Sequence, residues 1–321
     1  MSKPHTTRRQ FLQLSAATSA ACWLSAHATR TAQSDEPVAS SRPVRLGAPL
    51  FNAPADPEGQ ARAHRQLGLR AAYCPVADLS NAQLIKDTES AFAKQDVVIA
   101  EVGRWKNLLA ADPRERQENL QYVIDGLALA DAIGARCCVD IAGSYSSESW
   151  FGPNPKNLSR EHFDATVENA RKILDAVQPK RAKFSIEMMG WALPDSPASY
   201  LELIKAVDRP GFAVHLDPCN LINCPARFYD TTTLLNECFD TLGPWIVSAH
   251  AKDVAWIPEM QMRFVEVPIG KGTLDLRTYL RRLAALPNDV PLMIEHMQNE
   301  AEYSQCREHV FATGKELGLS F

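Results

Sequence analysis

Four apolar segments of this sequence each carry a side chain that can bind a metal ion near the C-terminal end. The segments are "FSIEMM" (184–189), "VHLDPCN" (214–220), "IVSAHAKD" (246–253) and "LMIEHM" (292–297), and the candidate ligands are Glu187, Asp217, His250 and Glu295. Three carboxylates and one imidazole form an oxygen-rich set that favours Mn²⁺ or Mg²⁺, with Co²⁺ and Zn²⁺ as alternatives. Because clustered carboxylates repel one another strongly without a cation, we expect one divalent ion among them.

The elements that position these residues follow from the hydrophobic pattern. Eight runs have the near-continuous hydrophobicity of strands buried on both faces of a parallel sheet. These runs span 44–50, 70–76, 97–103, 136–143, 183–189, 212–218, 246–253 and 291–297. Helical periodicity lies between them, with clear examples at 114–135, 159–179 and 275–286.

Eight strand–helix units of this total length predict a single (β/α)8 TIM barrel, which typically needs about 250 residues. The alternative is an open, doubly wound sheet. Such a sheet normally carries a glycine-rich phosphate-binding turn after its first strand, and "LGAPLFNAPAD" is not one. The prediction is therefore an α/β barrel, with function at the C-terminal ends of its strands.

The four candidate ligands stand on the fifth to eighth predicted strands, one on each. Neighbouring strands are about 4.8 Å apart, so converging side chains can reach one ion. Side chains alternate along a strand, which places His250 and Lys252 on one face and His296 on the face opposite to Glu295.

The order E…D…H…E on these strands resembles the xylose-isomerase-like superfamily of sugar isomerases and epimerases, which also includes AP endonucleases. The segments "SAHAKDV", "VPIGKGTLDL" and "PLMIEH" resemble its H-x-K-D, G-x-G-x-x-D and strand-eight I-E motifs. The resemblance covers most of residues 44–318. It implies a divalent-metal-dependent isomerase or epimerase that acts on a keto-sugar or related polyol through an enediolate.

The resemblance also implies roles for individual residues. Glu187 and Glu295 would bind the metal and exchange a proton with the carbon beside the substrate carbonyl. Lys252 would either add positive charge near the oxyanion or form an outward salt bridge with Asp253. These roles make a small carbohydrate the expected substrate.

One position departs from the epimerase pattern. Those enzymes usually carry a histidine three residues after the strand-six aspartate, and this chain has Asn220 there. Asparagine can hydrogen-bond a hydroxyl but cannot relay a proton. A lyase or dehydratase acting on a keto-sugar or keto-inositol is therefore an alternative, because its reaction begins with the same proton abstraction.

Further substrate contacts are predicted at the mouth of the barrel. Glu101 and Trp105 belong to the third strand and the loop after it, and Trp191 follows the fifth strand. Tryptophans at such a mouth often stack on sugar rings, although packing explains each one equally well. The "GKG" at 270–272 suggests either a phosphate site or a tight turn into the next helix.

Two other functions share this fold. An AP endonuclease would need several zinc ions and more histidines at the strand ends than this sequence offers. A non-catalytic periplasmic sugar-binding barrel would not need both Glu187 and Glu295, since binding alone requires no acid–base pair. Both alternatives are weaker than a carbohydrate-active enzyme.

The N-terminus predicts export. Residues 1–28 combine the adjacent Arg8 and Arg9, an apolar run and an Ala-His-Ala end, as in a cleavable twin-arginine signal. Residues 29–43 are predicted to form a flexible leader, and residues 44–321 are predicted to form the barrel. The expected partner is the twin-arginine export machinery and the expected location is the periplasm or another exported compartment.

Charge and hydropathy limit the other partners. Removing residues 1–28 takes away three basic residues and no acid, so the net charge changes from −4 to −7. That balance disfavours nucleic acid as a substrate. No stretch of 18 or more uncharged apolar residues follows residue 30, so we expect no stable membrane insertion after cleavage. A homo-oligomer is left open.

Cysteines and the remaining histidines are assigned more simply. Eight cysteines become seven after cleavage, and their spacing forms no disulfide framework, so most are expected in the core. A Cys219–Cys224 bridge is the alternative that an oxidising compartment leaves open. His64, His162 and His309 lie in helical patterns and are predicted at the surface.

We predict that replacing Arg8 and Arg9 with lysine traps the precursor in the cytoplasm, because the twin-arginine pathway reads the arginine pair itself. Cell fractionation and immunoblotting of precursor and mature chains measure this. Lys3→Arg is the matched control, since it lies outside the pair. Normal export of the double-lysine variant would contradict the signal assignment.

Overall fold

The structure, a computed structural model, describes residues 43–321. The predicted signal at 1–28 and nearly all of the predicted leader at 29–43 lie outside the described residues. The predicted barrel, residues 44–321, lies entirely within the described residues. No helix in the described part of the chain is both long and apolar enough to cross a membrane.

Eight parallel strands close into a barrel, and two further strands form an antiparallel hairpin beside it. The strands are β1 (Arg45–Gly47), β2 (Ala71–Tyr73), β3 (Val98–Gly103), β4 (Cys137–Ile141), β5 (Lys183–Glu187), β6 (Phe212–Leu216), β7 (Ile246–Ala251), β8 (Asp253–Trp256), β9 (Phe264–Val267) and β10 (Pro291–Ile294). Around the barrel, β10 lies between β7 and β1. All eight predicted strands are confirmed, and each is shorter than its apolar run.

The strands are apolar because helices cover them outside and side chains fill the barrel inside. Every residue of β4 and β6 is buried, which explains the absence of a polar alternation in the sequence. The core is one large cluster between strands and helices, together with a small one formed by Ala71, Ala100 and Met293. The barrel is thus packed throughout, as expected for eight strands.

The described chain has nine α-helices, eight between strands and one after the last strand. They are α1 (Pro57–Gln66), α2 (Ala82–Lys94), α3 (Pro113–Ile133), α4 (Arg160–Val177), α5 (Pro197–Val207), α6 (Pro225–Tyr229), α7 (Thr231–Leu242), α8 (Leu276–Ala284) and α9 (Glu300–Glu316). The helical patterns at 114–135, 159–179 and 275–286 are confirmed as α3, α4 and α8. Ser159 caps α4, Asp275 caps α8, and Gly134 ends α3 in the left-handed conformation at φ 75°.

The hairpin of β8 and β9 was not predicted, because the apolar run at 246–253 indicated a single strand. Asp253 begins the hairpin instead and pairs with Val267. Its carboxylate accepts hydrogen bonds from the backbone N–H groups of Val254, Gly270, Gly272 and Leu274, at 2.8 to 3.0 Å. The aspartate of the H-x-K-D motif therefore binds the backbone of the G-x-G-x-x-D motif. Lys252 pairs with other carboxylates, so the predicted alternative of a salt bridge with Asp253 is wrong.

The glycines of "GKG" are required by this contact. Gly270 has φ 87°, which favours glycine, and a Cβ at Gly272 would collide with the Asp253 carboxylate. Of the two readings of this segment, the tight turn is the one that the geometry fits.

Two minor predictions fail. His64 and His162 are buried rather than exposed: His64 packs edge-on against the Phe92 ring, and His162 Nε2 lies 3.1 Å from the Gly143 carbonyl oxygen. Burial lowers the pKa of His64 to about 4, so the neutral ring fits an apolar site. Cys219 and Cys224 are free thiols, so the alternative of a bridge between them is not realised.

We predict that Asp253→Ala lowers the free energy of unfolding by on the order of 3 kcal/mol, because it leaves backbone donors of the loop without their acceptor. Urea denaturation measures the loss. The matched control is Asp164→Ala, which removes an exposed i,i+4 ion pair with Arg160 and should change stability by less than about 1 kcal/mol. Equal effects of the two substitutions would contradict the structural role of Asp253.

Candidate metal centre and active site

Four strand ends bring the four candidate ligands together. Glu187 is the last residue of β5, Asp217 follows β6, His250 lies in β7 and Glu295 follows β10. One ligand atom from each lies within 4.8 Å of all the others, and all four residues are buried. The convergence that the sequence predicts is what the described structure contains.

The strand register explains this convergence. Glu187 pairs with His215 across β5 and β6, and His215 pairs with Ser248 across β6 and β7. Two residues further along each strand, where side chains return to the same face, Asp217 stands beside His250. The polar residues that end each apolar run in the sequence therefore lie at the rim of the barrel.

The donor atoms of the cluster fit a divalent cation. Asp217 Oδ2 and His250 Nδ1 are buried atoms without a hydrogen-bond partner. His250 Nδ1 lies 2.9 Å from Glu295 Oε2, and Asp217 Oδ2 lies 2.7 Å from Lys252 Nζ, but neither contact has hydrogen-bond geometry. Both atoms are paired by charge without a well-directed hydrogen bond, and the three carboxylates and one imidazole around them form a set that a divalent cation can bind. Glu187, Asp217, His250 and Glu295 would hold it.

Lys252 is part of the same cluster. Its side chain is 1% exposed, and its ammonium lies 2.7 Å from Asp217, 2.5 Å from Glu295 and 3.1 Å from Glu266. Burial acts to lower the pKa of Lys252, but the surrounding carboxylates outweigh it and raise that pKa well above its ordinary value. The lysine is thus a fixed positive charge that offsets part of the repulsion among the acids.

The carboxylates of the cluster are not electrostatically equivalent. Burial acts to raise the pKa of Glu187, but His250 outweighs it and the pKa is lowered. Burial also acts to raise the pKa of Asp217, which Lys252 and His250 lower. In Glu295 burial prevails over His250 and Lys252, and the pKa is raised. The two glutamates are shifted in opposite directions.

Glu101 and His215 lie beneath the cluster, deeper in the barrel. Glu101 Oε1 is 3.0 Å from His250 Nε2, and its other oxygen accepts a hydrogen bond from Ser248 Oγ at 3.0 Å. The His215 ring packs edge-on against the His250 ring, with the two ring centroids 4.1 Å apart. Burial acts to raise the pKa of Glu101, but the two histidines lower it to about 2. Glu101 orients His250 through this contact and also lines an adjoining cavity of about 370 Å³, so its contact with substrate stays a prediction.

Two predicted substrate-binding residues hold Glu187 in place. Trp105 Nε1 donates to Glu187 Oε2 at 2.8 Å, and Asn220 Nδ2 donates to Glu187 Oε1 at 2.9 Å. Both residues also line a cavity of about 400 Å³ above the cluster. Asn220, which replaces the usual histidine, thus holds one oxygen of the Glu187 carboxylate in place.

The lining of this cavity includes residues that the sequence analysis did not select. Its walls are Trp105, Ile141, Trp150, Phe151, Glu187, Met189, Asn220, Lys252, Glu266, Glu295 and His296. Trp191, predicted to bind substrate, does not line it and is 57% exposed. Glu266 was missed because the hairpin was missed. His296 was predicted on the face opposite to Glu295, and this is wrong: it lines the same cavity, with Nε2 3.5 Å from Glu295 Oε2 and Nδ1 2.8 Å from Glu266 Oε2. The left-handed backbone of His296, at φ 59°, breaks the strand alternation on which that prediction rested.

A larger hollow, of about 710 Å³, lies beside the hairpin and is lined by Tyr229, Trp256 and Met260 among others. It contains none of the clustered acids or histidines. The chemistry of the site therefore belongs to the smaller cavity.

Fold and site together define a TIM barrel with a candidate divalent-metal centre at the C-terminal ends of its strands. Residues 61–311 match the family described as xylose isomerase-like TIM barrel, and the chain belongs to that family. A comparison with curated proteins finds no significant match.

Solved structures with the same fold are distant in sequence. A xylose isomerase-like TIM barrel protein from Mycobacterium smegmatis in complex with magnesium is 18% identical, with TM-score 0.60, and the match covers 86% of this chain and 98% of that one. D-psicose 3-epimerase from Clostridium cellulolyticum H10, solved with D-tagatose, is 13% identical, with TM-score 0.62 and coverages of 86% and 100%. A probable 3-DHS dehydratase from Bacillus anthracis is 16% identical, with TM-score 0.59 and coverages of 84% and 98%. At these identities the likeness shows the fold.

We predict that the purified protein holds about one divalent ion per chain and that Asp217→Ala lowers both its occupancy and the melting temperature. The physical reason is that a bound ion stabilises the native state, by about 4 kcal/mol when free metal exceeds Kd a thousandfold. Elemental analysis and thermal melts with and without chelator measure this.

The matched control for the metal prediction is Glu308→Ala, an exposed acid on α9 that should change neither quantity. Absence of metal after gentle purification, together with a melting temperature that a chelator does not change, would contradict the assignment of the cluster.

Proposed function

We propose that this protein is a divalent-metal-dependent isomerase or epimerase that removes and returns a proton beside the carbonyl of a keto-sugar or related polyol. The observation that carries the proposal is the pair of buried glutamates, Glu187 and Glu295, in one cluster with Asp217 and His250. A bound divalent ion would supply positive charge that polarises the substrate carbonyl.

Glu187 is the better candidate for the base. Its lowered pKa keeps the carboxylate ionised, and Trp105 and Asn220 each hold one of its oxygens. A base fixed in this way costs little reorganisation when it approaches a substrate carbon. Glu187 would accept the proton on one of these oxygens.

Glu295 is the better candidate for the acid. Its carboxyl lines the same cavity from a different strand end and lies against the Lys252 ammonium. An epimerisation needs a second proton carrier beside the base, and Glu295 is the other glutamate of the cluster. Return of a proton by Glu295 to the planar carbon would complete an epimerisation, and Lys252 would offset the negative charge of the enediolate.

An elimination by the same site is the second candidate. This chain has Asn220 where epimerases usually carry a histidine. Asn220 donates a hydrogen bond to Glu187, and its amide cannot relay a proton. Abstraction of a proton by Glu187, followed by departure of the hydroxyl on the neighbouring carbon as water with a proton from Glu295, would form a carbon–carbon double bond and make the enzyme a lyase or dehydratase. The same proton abstraction starts both reactions, and product analysis separates them.

The two functions without proton abstraction have less support. A non-catalytic sugar-binding barrel, periplasmic if residues 1–28 direct export, would have no use for a buried pair of glutamates that can exchange protons. An endonuclease would have to admit a polyanion to a cavity that Glu187, Glu266 and Glu295 line. We therefore place both below the keto-sugar enzymes.

We predict that Glu187→Gln and Glu295→Gln each reduce solvent-deuterium exchange into the substrate, at the carbon beside the carbonyl, by about 10²–10⁴-fold. The amide keeps one oxygen ligand and nearly the same shape, so much of the metal should remain. Nuclear magnetic resonance of the exchanged position and elemental analysis measure the two effects separately.

Glu259→Gln is the matched control for both glutamine variants, because Glu259 lies on the hairpin loop and does not line the 400 Å³ cavity. Full exchange activity in either test variant would make that glutamate a ligand only. A wild-type protein that converts its substrate without exchange or elimination would overturn the proposal for both.

A further inference from the structure

The cavity above the cluster has an apolar part and an acidic part. Its apolar part consists of Trp105, Ile141, Trp150, Phe151 and Met189. Its acidic part includes Glu187, Glu266 and Glu295. At about 400 Å³ it is near the small end of the usual range for small-molecule sites. Such a lining suits a compact ligand with apolar faces and hydroxyl edges.

The cavity offers no free cation to an anionic group. Among residues 43–321, Lys252 is the only lysine or arginine that lines it. The Lys252 ammonium is buried against Asp217, Glu266 and Glu295, so it is already engaged by carboxylates. A bound divalent ion would have its charge offset by its carboxylate ligands Glu187, Asp217 and Glu295, so a phosphate group would still find no unpaired cation on the wall.

Two neighbouring features that could bind a phosphate are also occupied. The N–H groups of Gly270 and Gly272 donate to Asp253. Arg104 borders the adjoining cavity of about 370 Å³, but it donates to the Ala77 carbonyl at 2.7 Å and lies over the Tyr122 ring at 4.6 Å. Both features serve the fold of the protein.

The polar edge of the cavity suits hydroxyl groups. Glu266, on β9, and His296 form a contact of 2.8 Å, and both side chains line the cavity. His296 has φ 59°, a left-handed conformation that is uncommon for residues other than glycine and is often found at functional sites. Carboxylate and imidazole together offer acceptors and donors to neighbouring hydroxyls.

We infer that this site selects an unphosphorylated sugar, with C–H faces packed on Trp105, Trp150 and Phe151 and hydroxyls bound at Glu266 and His296. The inference rests on the proposed function for the identity of the ligand as a keto-sugar. A phosphate ester carries about −1.5 to −2 charges at neutral pH, and the carboxylates that pair with Lys252 and would hold the ion leave no free positive charge to bind it. Aromatic side chains contribute large contact areas to an uncharged ring.

The test compares matched pairs of ligands on the metal-loaded wild-type protein. The pairs are methyl 3-keto-glucoside and D-psicose, each with its 6-phosphate ester. Calorimetry or tryptophan fluorescence measures binding. The expected result is saturable binding of at least one unphosphorylated sugar, with its phosphate ester at least tenfold weaker.

Glu266→Gln tests the electrostatic cause, because it removes one negative charge from the lining with little change of shape. The preference for the unphosphorylated partner should fall severalfold in this variant. In the matched control Glu259→Gln, on the same hairpin loop but outside this cavity, the preference should equal that of the wild type.

Tighter or equal binding of the phosphate esters would overturn the inference, and so would failure of both unphosphorylated sugars to bind. These failures are distinct from failure of the proposed function. Exchange activity on phosphate esters alone would keep the function and remove this inference. Binding of unphosphorylated sugars with no exchange or elimination would do the reverse.

Discussion

The mutual repulsion of buried carboxylates is the constraint on which this site depends. Glu187, Asp217 and Glu295 approach one another within 4.8 Å at the rim of a packed barrel. Lys252 offsets only part of that charge, and a divalent cation held by these residues would offset more of it. The strand register sets the convergence, and the cation that we propose there would also activate a carbonyl.

Supporting contacts keep this cluster in one geometry. Trp105 and Asn220 fix the two oxygens of Glu187, and Glu101 fixes the far side of the His250 ring. The carboxylate of Asp253 holds the loop after the hairpin, whose strand β9 carries Glu266 to the cavity. Each supporting residue acts on one ligand or one wall, which is how a rigid barrel can hold an acid–base pair in place.

Much of this was predictable from the sequence, because the dominant signals are local. Strands buried on both faces give long apolar runs, and the ligands interrupt those runs at the rim, as at Asp217. Contacts between distant segments left no such signal. The pairing of Glu266 with His296 needed the unpredicted hairpin, and the exposure of Trp191 depends on how its loop folds. The burial of His162 depends on Gly143, which lies 19 residues away in the sequence.

The most direct test of the metal centre is anomalous X-ray scattering from crystals of the manganese-loaded protein. We predict one strong peak about 2.0–2.3 Å from donor atoms of Glu187, Asp217, His250 and Glu295. A cluster without such a peak, with Lys252 as its only cation, would contradict this prediction.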